Sequence, residues 1–191
     1  HPNLLRYFDA GNIQAGPMAG ALYIAMELAN ESLQHRLTRS APLPHDDVCL
    51  LAAEVLSGLD FLHQRKCVHR DIKPENILSG HGSWKLGDFG LLRVIHASAA
   101  KTSNPMGTLH YLAPEAYSGE ITFALDLWAF GVVLHQCLTG RLPQAKGMQR
   151  EVDAIIQSPL REIIEGCLEM DSARRWTAPQ AGTVRITGSA K

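Results

Sequence analysis

One ordered series of side chains between residues 69 and 115 has the types and spacing to do chemistry. His69-Arg70-Asp71-Ile72-Lys73-Pro74-Glu75-Asn76 has the form H-R-D-x-x-x-x-N. Asp88-Phe89-Gly90 begins twelve residues after Asn76, and Ala113-Pro114-Glu115 follows the stretch Gly107-Thr108-Leu109-His110-Tyr111. Acids, an amide and a lysine in this order suit a reaction that runs on positioning and charge neutralisation more than on covalent help, as phosphoryl transfer does. Any one triplet would occur by chance; the ordered set would not.

These residues need elements to position them. Residues 1–10 could form a strand, Gly11 to Gly20 reads as a loop, and Ala21 to Leu28 is an apolar run of strand length, so residues 1–10 and Ala21 to Leu28 could pair as a hairpin. Asp46 to Arg65 predicts a long helix, with Leu51, Val55, Leu59 and Leu62 at helical spacing and Asp46 and Asp47 at the end where negative charge suits the helix dipole. Residues 67–92 alternate short apolar runs with Gly, Asp and Pro, which predicts short strands and functional loops, and residues 93–112 read as a long surface loop. Ala124 to Thr139 is apolar nearly all round, the mark of a buried central helix, and Gly140 stops it. A short helix is expected near Glu151 to Gln157 and another over Leu160 to Met170. Gly182 to Lys191 reads as a tail that frays or that replaces a terminal helix.

The chain has 191 residues, 46% apolar and 19% charged, enough for one domain with a sizeable core. A net charge of -1 gives no general pull toward nucleic acid or anionic membrane. No apolar run approaches the ~18 residues of a membrane span, and no signal peptide opens the chain. Cys49, Cys67, Cys137 and Cys167 contain no C-x-x-C pair, which points to reduced thiols and a cytoplasmic setting. A metabolic ATP-binding enzyme is disfavoured because neither a Walker A loop nor a dinucleotide fingerprint is present.

The ordered motifs resemble the eukaryotic-type protein kinase family, of the serine/threonine type, over nearly all of residues 1–180. The resemblance implies an α+β, protein-kinase-like fold: a mainly α-helical C-lobe with a remnant β-hairpin of the N-lobe. Residues 1–28 would hold the last two N-lobe strands and the start of the hinge, 29–181 the C-lobe and 182–191 the tail. It implies transfer of the ATP γ-phosphate to Ser or Thr hydroxyls of a protein substrate, with ATP and Mg2+ as cofactors. A regulatory protein partner is compatible with it; nucleic acid and membrane are not expected. Asp71 would accept the proton of the substrate hydroxyl, Lys73 would contact the transferred phosphate, and Asn76 and Asp88 would hold Mg2+ through hard oxygens. Thr108 fits Ser/Thr specificity. His69 and Phe89 would stack rather than react. Met26 would be the gatekeeper, backbone groups of Glu27 and Ala29 would bond the adenine edge, and Leu78 would floor the pocket. Asp126 would hold the catalytic loop through its backbone N–H groups. Glu115 and Arg175 would form a buried ion pair, since Asp171-Ser172-Ala173-Arg174-Arg175-Trp176-Thr177-Ala178 resembles D-P-x-x-R-P-T-A. Arg70 would clamp a phosphorylated loop, with Ser98, Thr102 and Ser103 as candidate phosphosites.

The resemblance begins at His1-Pro2-Asn3, and the chain opens on His1 rather than Met. Gly11, Gly16 and Gly20 do not have G-x-G-x-x-G spacing, and no V-A-I-K strand occurs. The expectation is therefore a truncated part of the domain that has negligible activity alone. The alternative is a non-catalytic, kinase-like binding module.

Overall fold

The computed structural model describes residues 1–95, 100–101, 107–146, 149–154, 156 and 159–184. Two helices form its centre. α2 (His45–Gln64) buries Val48, Leu51, Ala52, Val55, Leu59 and Leu62 along one face. α3 (Ala124–Thr139) is buried almost throughout, from Asp126 to His135 and at Cys137. It ends as the sequence predicts: Gly140 takes φ 72° and its N–H returns to the Gln136 carbonyl at 2.8 Å. Close packing against α3 requires Gly131, where a Cβ would lie 2.8 Å from Cys167 Cβ. The partner there is α4 (Leu160–Cys167), whose Leu160, Ile163, Ile164 and Cys167 are buried.

Smaller elements surround this centre. β1 (Tyr7–Asn12) and β2 (Leu22–Met26) form the expected antiparallel hairpin, and Phe8, Leu22 and Ile24 on it are exposed. β3 (Glu31–Ser32), β5 (Ile77–Gly80) and β6 (Ser83–Leu86) make a three-stranded sheet in the order β3-β5-β6. The first residues are fastened to it: Leu5 N–H donates to the Leu86 carbonyl and Leu86 N–H to that of Asn3, at 2.7 and 2.9 Å. β4 (Cys67–Val68) pairs with β7 (Arg93–Val94), and β8 (Ala100–Lys101) pairs with β9 (Glu120–Ile121). The segment expected as one surface loop thus contributes two paired strands. α1 (Leu33–Ser40) and α5 (Ala178–Thr183) complete the helices, each with a hydroxyl cap: Ser32 on α1 and Thr177 in a capping box with Gln180 on α5. No described helix is long and apolar enough to cross a membrane.

The region between α3 and α4 differs from the pattern. β10 (Gln144–Lys146) and β11 (Gln149–Glu151) form a hairpin that takes in Glu151, the first residue of the helix expected over 151–157, and the described residues 152–154 and 156 are not helical. Glu151 is held in the ladder opposite Gln144, the Asp153 N–H donates to His135 Nε2 of α3 at 3.2 Å, and the Ile156 N–H returns to the Asp153 carbonyl at 3.0 Å as a single turn. α4 also stops three residues before Met170, because the Trp176 N–H takes the Gly166 carbonyl and Arg175 takes that of Glu169. Residues 185–191 of the expected tail, and Ser98, Thr102 and Ser103, lie outside the described residues.

Candidate active site

The loop after β4 carries the site, and a buried acid on α3 shapes it. Asp126 is 1% exposed. Its Oδ2 accepts from the His69 N–H at 2.9 Å and from His63 Nε2 at 2.8 Å, and its Oδ1 accepts from the Arg70 N–H at 2.8 Å. Burial alone would raise the Asp126 pKa; the hydrogen bond from His63, with the charges and amides around it, outweighs burial and holds it below the usual carboxylate value. Three donors converging on one carboxylate fix the loop's direction, and Arg70 is held in the left-handed region at φ 71°. The carboxylate thus does what its place in an apolar helix implies, since an acid buried there must be fully bonded.

Past Arg70 the chain turns Asp71 inward, where it is 8% exposed. Asn76 Nδ2 donates to the Asp71 carbonyl at 2.8 Å and to its Oδ2 at 3.0 Å. Lys73 Nζ lies 2.8 Å from the same oxygen. The Thr108 hydroxyl donates to Asp71 Oδ1 at 3.2 Å and accepts from Lys73 Nζ at 3.1 Å. Asp71, Lys73, Asn76 and Thr108 therefore form one bonded group, although Thr108 is 37 residues from Asp71.

A second set of bonds ties this group to Asp88. The Gly87 N–H donates to the Asn76 carbonyl at 2.9 Å, and the buried His69 ring bonds the Gly87 carbonyl through Nε2 at 3.0 Å. His69 Nδ1 accepts from the Asp71 N–H at 3.4 Å, which assigns the Nε2–H tautomer. The His69 and Phe89 rings lie 5.4 Å apart, tilted by 60°, and the Tyr7 ring lies 5.4 Å from Phe89. Asp88 itself is exposed, has φ 57° and caps the Gly90 N–H through Oδ1 at 3.2 Å.

The donor set suits Mg2+. Asn76 commits Nδ2 to Asp71, so Oδ1 would be its atom for a cation, and Asp88 could add an exposed carboxylate. Two hard oxygens, completed by phosphate and water, match the way Mg2+ is usually held. Among the described residues no group of three or more His, Cys, Asp or Glu is arranged to hold a metal.

The residues expected to form the hinge lie at and after the end of β2. Met26 is 45% exposed and ends the strand. The Glu27 N–H is already given to the Arg6 carbonyl at 2.8 Å, so that donor does not serve a ligand. The Glu27 side chain pairs with Lys85 of β6 at 2.7 Å, which depresses the Glu27 pKa. Ala29 lies over Gly80, where a Cβ would come within 3.7 Å of the Ala29 Cα. Leu78 packs on the residue before Asp88, since a Cβ at Gly87 would lie 2.9 Å from Leu78 Cδ1. The described contacts thus join Asp71, Lys73 and Asn76 directly, Asp88 and Leu78 through Gly87, and the hinge through Glu27 and Lys85. Sequence reasoning passes over His63 and Lys85, whose partners are 63 and 58 residues away and leave no local signal.

The outer anchor forms as the motif implies: Arg175 meets Glu115 at 2.5 and 3.1 Å and also donates to the Ala124 carbonyl.

The family described as "Protein kinase domain" matches residues 1–184. A probable serine/threonine-protein kinase PknB of Lactococcus lactis is 34% identical over 147 residues, covering 75% of this chain and 23% of that protein. Mitogen-activated protein kinase kinase 9 of Arabidopsis thaliana is 31% identical over 191 residues, covering 86% and 60%. Serine/threonine-protein kinase PrkC of Bacillus subtilis is 32% identical over 187 residues, covering 95% and 27%. The chain spans less than two thirds of the length of each of these relatives.

Proposed function

The chain belongs to the protein kinase family, and we propose that it carries the phosphoryl-transfer site of a protein serine/threonine kinase, moving the γ-phosphate of ATP to Ser or Thr hydroxyls of a protein substrate. The observation that carries the reading is the Asp71 carboxylate, held by Asn76, Lys73 and Thr108 on a loop that Asp126 clamps. A hydroxyl brought to Asp71 would be oriented by it and lose its proton to it. Lys73 sets positive charge beside that point, where the transferred group carries negative charge. Asn76 and Asp88 would hold Mg2+, which with ATP supplies the phosphoryl group with its charge neutralised. Met26, backbone groups of Glu27 and Ala29, and Leu78 would receive the adenine.

In this reading residues 1–28 belong to the N-lobe and hinge, 29–181 to the C-lobe and 182–191 to a tail. Arg70, whose pKa is lowered by burial and by the neighbouring Arg93, would meet a phosphate on the loop that follows Asp88. Four unpaired cysteines agree with a reducing, cytoplasmic setting.

The test uses the protein at its full natural length, Mg-ATP and a library of Ser, Thr and Tyr peptides. Asp71→Asn should lower kcat by about 10²–10⁴ and leave nucleotide binding intact. Equal rates for both proteins would remove Asp71 from the reaction, and transfer to Tyr alone would remove the Ser/Thr assignment.

A further inference from the structure

His135 is buried in α3 with both ring nitrogens engaged, and its partners allow one arrangement of protons. Nε2 faces the Asp153 N–H at 3.2 Å. A backbone N–H can only donate, so Nε2 carries a lone pair. Nδ1 therefore holds the proton and donates it to the Arg141 carbonyl at 3.1 Å, with Thr139 Oγ1 beside it at 3.2 Å. The ring is neutral. It joins a backbone group just past the end of α3 to another 18 residues from the ring.

The segment around Asp153 is anchored at both ends. Before it, Glu151 pairs with Gln144 in the β10–β11 ladder. After it, Ile156 is buried, and Arg161 of α4 donates to the Asp153 and Ile156 carbonyls at 3.2 and 3.3 Å. Between these ends His135 ties the segment to α3. A cavity of about 400 Å³, lined by His135, Arg141, Leu142, Val152 and Asp153, lies against this tie and gives water a way to it.

The charges around the ring come from three places. The Arg141 guanidinium pairs with the Asp153 carboxylate, and Arg161, itself paired with Glu165, stands on the α4 side. Burial pushes the ring's pKa down, with the Arg141 charge acting the same way and the Arg141 carbonyl and Asp153 carboxylate acting against it.

We infer that His135 is an acid-sensitive latch on the segment that leads from β11 toward α4. A second ring proton must sit on Nε2. It sets Nε2–H against the Asp153 N–H, two donors with no acceptor between them, and the tie to α3 is lost. The freed segment opens the cavity to water, which hydrates the imidazolium. Acid thus favours the open form and neutral pH the closed one. The latch does not depend on the kinase reading.

Two measurements on the full-length protein test it. NMR of the histidine ring nitrogens should show His135 as the Nδ1–H tautomer at pH 8. Amide hydrogen exchange, with intrinsic rates divided out, reads the segment. Linkage sets the magnitude: the open population should rise about tenfold per pH unit from about 6.5 down to the ring's own folded pKa, then level off. The Asp153 amide should lose protection by that factor. It should also be less protected than Val133 and Leu134 of α3 at every pH, because the segment opens ahead of unfolding. His135→Gln, whose side chain does not titrate, should hold the Asp153 amide at one protection factor from pH 8 to 5. An Nε2–H tautomer at pH 8 would overturn the latch, as would equal Asp153 protection at both ends of that range in the parent. Asp153 and α3 amides protected alike would also overturn it, since that pattern marks global unfolding alone. A His135→Gln variant that kept the parent's pH response would place the sensor elsewhere. If that variant does not fold, the parent still decides, because Asp153 protection must level off at the pKa the ring nitrogens report.

Discussion

Asp126→Asn tests the clamp on which the site depends, because it preserves shape and exchanges one acceptor for a donor. The carboxylate takes the His69 N–H and His63 on one oxygen and the Arg70 N–H on the other. An asparagine would place its carbonyl on the two-donor side, leaving its NH2 against the Arg70 N–H. Two buried donors, the Arg70 N–H and the new NH2, then face each other with no acceptor between them, at a cost of at least about 1–3 kcal/mol. Asp126→Ala strands all three donors and should cost about 3–5 kcal/mol. Against a typical domain stability of about 5–15 kcal/mol, both losses are readable as a fall in urea midpoint at constant slope.

The same substitution should disturb the chemistry more than the fold. Arg70 keeps φ 71° because its N–H is held, and it directly precedes Asp71. Releasing it lets Asp71 shift, and a displacement of about 1 Å can cost ~10²-fold in rate. The pH dependence has a definite sign. Asp126 has a depressed folded pKa, so its contribution is fully present above the unfolded carboxylate value of about 4 and is lost as pH falls through the folded value. Asp126→Asn should therefore flatten the acid limb of the stability curve. A variant with the parent's midpoint, acid limb and transfer rate would refute the clamp.

Three further outcomes follow from packing and burial. Gly131→Ala puts a Cβ 2.8 Å from Cys167 Cβ and 3.1 Å from Leu168 Cδ2, so α3 and α4 must separate; thermal unfolding should show about 1–3 kcal/mol lost, and a stabilised variant would contradict the contact. His135 is buried, and burial lowers its pKa against the raising effects of the Arg141 carbonyl and Asp153. Folding then favours the neutral ring, so stability is full above about pH 6.5 and declines as pH falls toward the folded value; denaturation from pH 8 to 5 should show that slope, and His135→Gln should remove it. Burial pushes the Cys137 and Cys167 thiols up to about 12, and raises Cys49 as well. Iodoacetamide at pH 8 should label half-buried Cys67 first, and rapid native labelling of Cys137 or Cys167 would show the core to be looser than described.

What the sequence makes legible is what is local. Asp71, Lys73 and Asn76 can be found because they share one short loop and their types follow from the reaction. α3 can be found because a fully buried helix has no polar face to confuse it. α1 has only Leu33 and Leu37 to bury, and two apolar residues after a Ser cap are too weak a pattern to stand out. The described residues of the helix expected at 151–157 are not helical for a related reason: Glu151 pairs with Gln144 and Asp153 bonds His135, contacts that helical periodicity does not report. Thr108, His63, Lys85 and Arg150 likewise act across 35 to 63 residues. Asp126 is the instructive exception, since its partners are 56 and 57 residues away and yet its own position announces them. An acid inside Ala124–Thr139 cannot be left bare, because an unpaired buried carboxylate would cost more than the helix could gain. A buried charge in an apolar helix therefore marks a long-range contact that periodicity cannot reveal, and here the contact it marks is the one that aims the site.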